Sequence, residues 1–272
     1  HEGCRYCRMK PRTRQLMLLL LIALPAAPVV GYAGFSAGAA DNSPAGLVRD
    51  VQEAIRMWDF SLMTNRAARL AALPKDEDAT AAYHHDYWRG VALLHAVFFA
   101  REAGESHRAK RFEPELRREA LAVLERASEF PDATADTHAA VVVLLGMTIK
   151  DGSWLTALRL GPGLMRHKQA AERDRANPRV AYLLGVGELR SGRSANALAA
   201  AREQLLRAVA QFEAERRQPV AGPYEARWGY DHALMFLGEV SQRQGNTEEA
   251  SSWFARAYAA NPHLEKSREM MQ

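Results

Sequence analysis

Apolar residues recur at helical rather than strand spacing along almost the whole chain after residue 40. In residues 46–73 apolar side chains return at intervals of three and four, and Pro74 ends the pattern. That spacing places them on one face of a helix. The valine run at residues 141–143 favours β structure by composition, yet it continues in helical register. The pattern therefore predicts an all-α fold in which residues 46–73 form one pair of helices.

The most regular segment spans residues 231–262 and predicts two helices joined by a turn at residues 244–246. Its small residue, Gly238, would let the two helices approach closely, while Phe254 would fill the space between neighbouring pairs. The positions that define the segment are Leu237, Gly238, Ala250, Phe254, Ala257 and Pro262.

This segment resembles the tetratricopeptide repeat, in which W-x2-L-G-x2-Y precedes A-x3-F-x2-A and a proline within about 34 residues. The six positions named above match the repeat, whereas Leu234 and Ser241 replace its tryptophan and tyrosine. The resemblance covers about residues 80–262. It implies a right-handed solenoid of about four to six antiparallel helix pairs, with residues 41–79 as an N-terminal pair or cap and 80–272 as the repeat domain.

Earlier segments repeat parts of this signature. The Leu-Gly dipeptide recurs at Gly146 and Gly185, and the second-helix triplet recurs within residues 120–127 and 201–208. A further first-helix pattern begins at Trp88, with Val91, Ala92 and His95 at the following signature positions.

The repeats are irregular, because Gly146, Gly185 and Gly238 are separated by 39 and 53 residues. The additional residues fall in three predicted connections, at 103–114, 150–163 and 217–229. Gly161-Pro162-Gly163 is predicted to be a turn between helices, since Gly and Pro interrupt helices.

The resemblance implies where a partner would bind, since the first helix of each tetratricopeptide pair lines a concave groove through repeat positions 2, 5, 9 and 12. Met, Tyr and aliphatic side chains with a few polar tips favour a peptide or an amphipathic helix as the occupant. The alternative is that several of these residues pack against a neighbouring helix. The groove residues so identified are Lys150, Arg179, Tyr182, Val186, His232, Met235, Glu239 and Gln242, with Ala140, Val143, Met147 and Leu189 at the equivalent positions.

Residues 1–40 have the pattern of a secretory signal. After Met9 come the basic residues Lys10, Arg12 and Arg14, then an apolar run at 16–24 and small residues at 37–40. We expect Sec-type export to the periplasm or the extracellular space, with residues 1–8 upstream of the predicted start. A membrane anchor formed by uncleaved residues 16–30 is the alternative, although the apolar run is short for a span of about 20 residues. No stable membrane insertion of the mature chain is expected.

Charge argues against a nucleic-acid partner. Residues 1–40 hold five of the 36 Lys and Arg and one of the 32 Asp and Glu, so 31 of each sign remain. A nucleic-acid-binding domain normally carries a basic excess. Both cysteines, Cys4 and Cys7, also precede Met9, which removes a lipid-anchoring cysteine and a thiol nucleophile from the mature chain.

Candidate chemistry is sparse in the remaining sequence. His84-His85-Asp86 with His95 is the best metal-like cluster, but eleven residues of helix place His84 and His95 too far apart along the axis to share an ion. Gly185-x-Gly187 lacks the preceding strand of a phosphate loop, and no G-x-S-x-G motif occurs after residue 40.

The sequence therefore predicts a non-catalytic, exported scaffold without a metal or cofactor, which binds a protein or peptide within an envelope complex. A transporter accessory protein that binds a small molecule or a solute-binding protein is the alternative, favoured by a cavity lined by Lys150, Arg179 and Tyr182. A helical enzyme would require a convergent cluster of buried carboxylates and histidines. Trp228-Gly229-Tyr230 is expected to fold its loop onto the helices, with a surface recognition edge as the alternative.

Overall fold

The computed structural model describes residues 43–74, 78–103, 107–192, 194–222, 224–264, 267, 269 and 270. Within this part of the chain all regular structure is helical, so the predicted all-α class is confirmed. The proposed signal, the alternative anchor and both cysteines lie outside the described residues. The helices are α1 (Pro44–Arg56), α2 (Phe60–Ala71), α3 (Ala79–Glu102), α4 (Arg108–Ala127), α5 (Ala135–Asp151), α6 (Trp154–Ala171), α7 (Pro178–Ser191), α8 (Ala195–Glu215), α9 (Tyr230–Arg243) and α10 (Thr247–Ala260).

Several helices begin at a side chain that caps them. The side-chain oxygens of Ser43, Asp59 and Asp78 accept backbone N–H groups in the first turns of α1, α2 and α3, at 3.0, 2.9 and 2.8 Å. Ser194 does the same for α8 at 3.2 Å. These caps satisfy amide groups that have no partner inside the helix, so the positions at which these helices start follow directly from local sequence.

From α3 onward, successive helices pack in pairs. The pairs are α3 with α4, α5 with α6, α7 with α8, and α9 with α10. Contacts of α4 with α5, α5 with α7, and α8 with α9 join one pair to the next, while α1 and α2 pack beside α3. One continuous apolar core results, and its largest fully buried side chains include Trp88, Tyr182, Phe98, Phe212, Phe236 and Phe254.

Two glycines mark the close approach of helices within a pair. A Cβ atom added at Gly238 would lie 2.7 Å from the ring of Phe254, and one at Gly185 would lie 2.9 Å from Leu205. Both distances are too short for a real side chain, so the prediction that a small residue permits this approach is confirmed. The same role expected of Gly146 is wrong, because an added Cβ there would meet nothing within 4 Å.

A third close approach occurs at Gly90. A Cβ atom at this residue would lie 2.5 Å from the side chain of Leu124. The sequence pattern placed Ala92, which is also buried, at the signature position of this helix. The close approach at Gly90 was not identified from the pattern.

The predicted connections at 103–114 and 150–163 are largely wrong. Helix α4 begins at Arg108 and contains Pro114, while α6 begins at Trp154 and contains Pro162. Proline inside a helix removes a backbone hydrogen bond and costs about 3 kcal/mol. In α6 that cost is offset by the opposite face, where His167 and Ala171 are buried. Residues 216–229 are non-helical as predicted, apart from residue 223, which is not described.

Helix α1 is tied to the C-terminal part of the chain. The Gln52 side chain accepts the backbone N–H of Arg227 at 2.8 Å and donates to the carbonyl of Glu225 at 3.3 Å. Asn261 donates through Nδ2 to the carbonyl of Arg56 at 2.7 Å. We call these contacts the seam. They join residues up to 205 positions apart in sequence, so the first and last described helices are parts of one packing unit.

In the part of the chain that the structure describes, no helix combines the length and the apolar character that crossing a membrane requires.

Candidate functional site

Six of the eight predicted groove residues are buried. Tyr182, Val186 and His232 have no exposed surface, Met235 is 1% exposed, Arg179 5% and Glu239 8%. The other two, Lys150 and Gln242, are exposed. The predicted role in partner binding stays a prediction, but the six buried residues do not form an open groove in this structure.

Aromatic side chains from the turn between α1 and α2, from α3 and from the 216–229 loop cover the buried residues. The Tyr182 ring lies 6.0 Å from that of Trp228, and the His232 ring lies 4.3 Å from that of Trp58 and 5.7 Å from that of His95. Trp228 itself is 4% exposed, in agreement with its predicted packing role. The interpretation that these positions pack against neighbouring elements therefore describes their state here.

Trp58, one of these covering side chains, has a strained backbone conformation. It lies in the turn between α1 and α2 with a φ of 48°, a value that non-glycine residues rarely adopt. Such backbone strain is of the order of 1–3 kcal/mol. Packing of the half-buried indole against His232 and Phe99 offsets this strain, since its ring centroid lies 4.3 Å from that of His232 and 5.7 Å from that of Phe99.

Arg179 is buried and bonds residues of α8 and of the 216–229 loop. Its guanidinium donates two hydrogen bonds to Glu215, at 2.8 and 2.9 Å, and a third to the carbonyl of Ala226. The guanidinium also lies over the rings of Phe212 and Trp228, at 5.6 and 5.7 Å. Burial lowers the pKa of Arg179, but the bonds to Glu215 and the negative charges nearby together outweigh it and raise the pKa above its ordinary value.

The metal-like histidine cluster does not converge. His84 stacks on Tyr224 with ring centroids 4.5 Å apart, whereas His85 bonds the carbonyl of Leu70 at 2.5 Å. Asp86 forms an ion pair with Arg126. His95 is buried, and its Nδ1 lies 2.9 Å from the carbonyl oxygen of Val91. Among the described residues, no three His, Cys, Asp or Glu side chains are grouped so that they would hold a metal ion.

An open depression lies at one end of the helix pairs, and we call it the terminal cleft. Its volume is about 740 Å³. Five cationic side chains and two carboxylates dominate its lining, which gives it a positive surface. The lining residues are Arg101, Lys110, Glu113, Lys150, Asp151, Leu189, Arg190, Leu198 and Arg243.

Four of these cations occupy equivalent places in four helices. Arg101, Lys150, Arg190 and Arg243 are the basic residues in the last turns of α3, α5, α7 and α9. The last carbonyl groups of a helix carry partial negative charge, so a cation in the last turn is stabilised there. The cleft is therefore formed where the C-terminal ends of the first helices of four successive pairs meet.

Arg190 lies at the centre of the cleft floor. It donates two hydrogen bonds to Glu239, at 2.8 and 3.1 Å, and one to Glu102 at 2.7 Å. Its guanidinium also lies 5.2 Å from the centroid of the Phe236 ring. Arg243 bonds both Glu239 and the carbonyl of residue 189. Two arginines thus share one buried carboxylate, so the negative charge of the floor is already balanced by protein groups.

A second ion network forms the opposite wall. Arg101 donates to Glu113 at 2.8 Å and also bonds Asp151, which accepts from Arg117 at 2.5 Å. Burial raises the pKa of Asp151, but the charges of Arg101 and Arg117 outweigh it and keep the pKa below its ordinary value. Asp151 therefore stays ionised near neutral pH, and the wall is a fixed array of charges.

The arrangement is suited to binding anions. Arginine guanidinium groups match carboxylates and phosphates in geometry, and the rim residues Lys150 and Arg243 are accessible to solvent. Sequence reasoning identified Lys150 and Glu239 but missed Arg101, Arg190 and Arg243. A signal was present, because Arg190 and Arg243 each follow directly after repeat position 12.

Lys150, Arg179 and Tyr182 do not share a cavity. Lys150 lines the terminal cleft, whereas the other two side chains lie in the core beside Trp228. The small-molecule cavity expected from these three residues is therefore not formed by them.

The chain matches no known protein-family profile and no curated protein sequence. The tetratricopeptide likeness accordingly rests on the sequence positions described above.

Proposed function

We propose that this chain is an exported scaffold of the tetratricopeptide type that binds an acidic segment of a protein partner in the terminal cleft, without catalysing a reaction. The packed pairs would form an irregular solenoid of antiparallel helices, in which the glycine contacts at Gly90, Gly185 and Gly238 set the spacing within pairs. Export would place this scaffold in the periplasm or outside the cell.

The observation that carries the proposal is the convergence of four last-turn cations on one open cleft. A single cation at a helix end is an ordinary stabilising feature. Four of them, from α3, α5, α7 and α9, line one cleft across four helix pairs. Arg101 and Arg190 are held by carboxylates, while Lys150 and Arg243 are exposed to solvent at the rim. A surface of this length fits an extended acidic segment that contacts several pairs at once.

The cleft has the properties of a preformed binding site. Its floor arginines are held by Glu102 and Glu239 and lose little freedom when a ligand binds, so binding is not weakened by ordering. Lys150 and Arg243 lie at the rim, where they can pair with carboxylates of the partner. Rim charges of this kind accelerate association and make the affinity fall with salt.

The second candidate is binding of a small anionic molecule, as in a transporter accessory protein. The volume of about 740 Å³ supports it, since ligand pockets commonly measure about 300–1,000 Å³. In that case a free anion would occupy the cleft without a protein partner.

The test is a cross-linked capture from an envelope extract, with bound proteins identified by mass spectrometry. The test variant carries Lys150→Gln and Arg243→Gln, which removes two rim cations. The matched control carries Arg175→Gln and Arg256→Gln, two solvent-exposed cations away from the cleft whose side chains are 70% and 42% exposed.

We expect one partner to be captured by the wild type and the control, and its recovery to fall at least tenfold with the cleft variant and with added salt. Equal recovery by all three proteins would place the partner elsewhere on the chain. Capture of nothing by folded wild-type protein would refute the scaffold proposal, and binding of small anions to the cleft would then be measured.

A further inference from the structure

Helix α6 exposes an apolar stripe. Four of the six large apolar side chains that the described residues leave exposed lie on this helix. Trp154 is 73% exposed, Leu155 56%, Leu158 68% and Met165 52%. At about 100° per residue these four side chains fall within an arc of about 100° on the outer side of the helix. The opposite face packs against the core through His167 and Ala171.

Cations flank the stripe on both sides. Arg159 and Arg166 lie beyond its Leu155 edge, and Lys168 lies beyond its Trp154 edge. Residues 154–171 contain no aspartate or glutamate. Burial lowers the pKa of His167 to about 4, so this side chain is neutral near pH 7 and the positive charge of α6 comes from its Arg and Lys residues.

One carboxylate of the neighbouring helix bears on this charge. Glu125 of α4 lies within the electrostatic range of Arg166, which lowers the pKa of this carboxyl group while burial raises it by more. Arg166 is therefore partly compensated. Arg159 and Lys168, on opposite flanks of the stripe, supply the remaining positive charge.

We propose that α6 lies in the surface of an anionic lipid bilayer, with its apolar stripe at the boundary of the acyl chains. An interfacial helix of this kind has apolar and aromatic residues on one face and Lys or Arg beside them. Trp154 would occupy the headgroup level that tryptophan prefers. The long stems of Arg159 and Lys168 would follow the apolar surface while their charged ends reach lipid phosphates.

Charge favours the bilayer over a second copy of the chain as the occupant. Two α6 stripes packed together would bring the flanking cations of both copies close to each other. The helix carries no carboxylate of its own to pair with them, so repulsion would oppose the dimer. An anionic bilayer satisfies both features at once, because it accepts the apolar side chains and neutralises the cations.

This inference does not depend on the proposed function of the terminal cleft. Asp151 lines the cleft and Trp154 begins the stripe three residues later. Docking of α6 would therefore hold the cleft beside the membrane surface.

The test is hydrogen exchange with mass spectrometry on the full chain, with and without vesicles of phosphatidylcholine containing about one third phosphatidylglycerol. This readout is resolved along the sequence, so protection of α6 is separated from any effect of residues 1–40. The test variant carries Leu158→Glu and Met165→Glu, two changes on the exposed face. The control, Val220→Glu, makes the same kind of substitution once, at an apolar residue that is 66% exposed outside α6.

We expect vesicles to slow exchange in residues 154–166 of the wild type and of the control, and the affinity for vesicles to fall about tenfold or more for each apolar side chain replaced. An Arg159→Gln variant should weaken binding about fivefold on anionic vesicles and leave the small affinity for uncharged vesicles unchanged. The proposal is overturned if α6 gains no protection from vesicles, or if the Leu158→Glu, Met165→Glu protein binds as the wild type does. Concentration-dependent protection of α6 without lipid would overturn it in favour of a second copy.

Discussion

Replacing Gly238 by alanine tests the close approach of α9 and α10. The new Cβ atom would lie 2.7–2.9 Å from three atoms of the Phe254 ring. This ring is 1% exposed, so it is enclosed by other core side chains. Alanine gains about 1 kcal/mol of helix propensity over glycine, whereas overpacking of a core costs about 1–3 kcal/mol. With a rigid ring at this distance we take the upper value, so the free energy of unfolding should fall by about 2 kcal/mol.

Gly146→Ala is the matched control, because it is the same change in the interior of α5. Nothing lies within 4 Å of the added Cβ atom, so only the propensity gain of about 1 kcal/mol applies. The two variants should therefore differ by about 3 kcal/mol in urea unfolding followed by circular dichroism. In the Gly238 variant, Phe254→Leu should restore part of the lost stability as a coupled pair. If the Gly238 and Gly146 variants are equally stable, the explanation of the glycine contacts is wrong.

Two further predictions concern buried charge. Burial, and next the neighbouring charge of His232, lower the pKa of His95 from 6.5 to about 3. Between these two pH values only the unfolded chain takes up the proton. Because of this group, the free energy of unfolding should be about 2 kcal/mol lower at pH 5 than at pH 7. The depressed pKa of Asp231 affects stability only below its ordinary value of 3.8. Urea titrations of the wild type and of His95→Gln above pH 4 therefore isolate the contribution of His95. If the variant shows the same change of unfolding free energy with pH as the wild type, the prediction is wrong. Arg179→Met should lower the free energy of unfolding by about 3–5 kcal/mol, because it leaves Glu215 without its partner. Adding Glu215→Gln should recover part of that loss. Equal stability of the single and double variants would show that the pair does not act as described.

Local features of the fold were predictable from the sequence. The caps at Ser43, Asp59 and Asp78 and the contact of Gly238 with Phe254 depend on residues within one helix or one pair. Apolar periodicity therefore identified the helices where the spacing was regular. It failed at Gly161-Pro162-Gly163, because the stability of α6 comes from burial of its other face, and this burial is not visible in the local composition.

The candidate site was only partly predictable. The resemblance to an open repeat array placed Tyr182 and His232 in a groove, but Trp58 and Trp228 cover these residues from distant parts of the chain. No local pattern shows a contact of that range. The terminal cleft depends on cations from four separate pairs, and it becomes visible as a set only when α3, α5, α7 and α9 are seen to end at the same place.

The seam has a consequence for the order in which the molecule is completed. In an array whose pairs contact only their neighbours, early pairs can reach their final structure while later ones are still being made. Here the hydrogen bonds of Gln52 and Arg56 cannot form before residues 225–261 have been made. A nascent chain can therefore pack α1 against α2 and α3 early, but it completes the contacts of the seam only after residues 225–261 have been made.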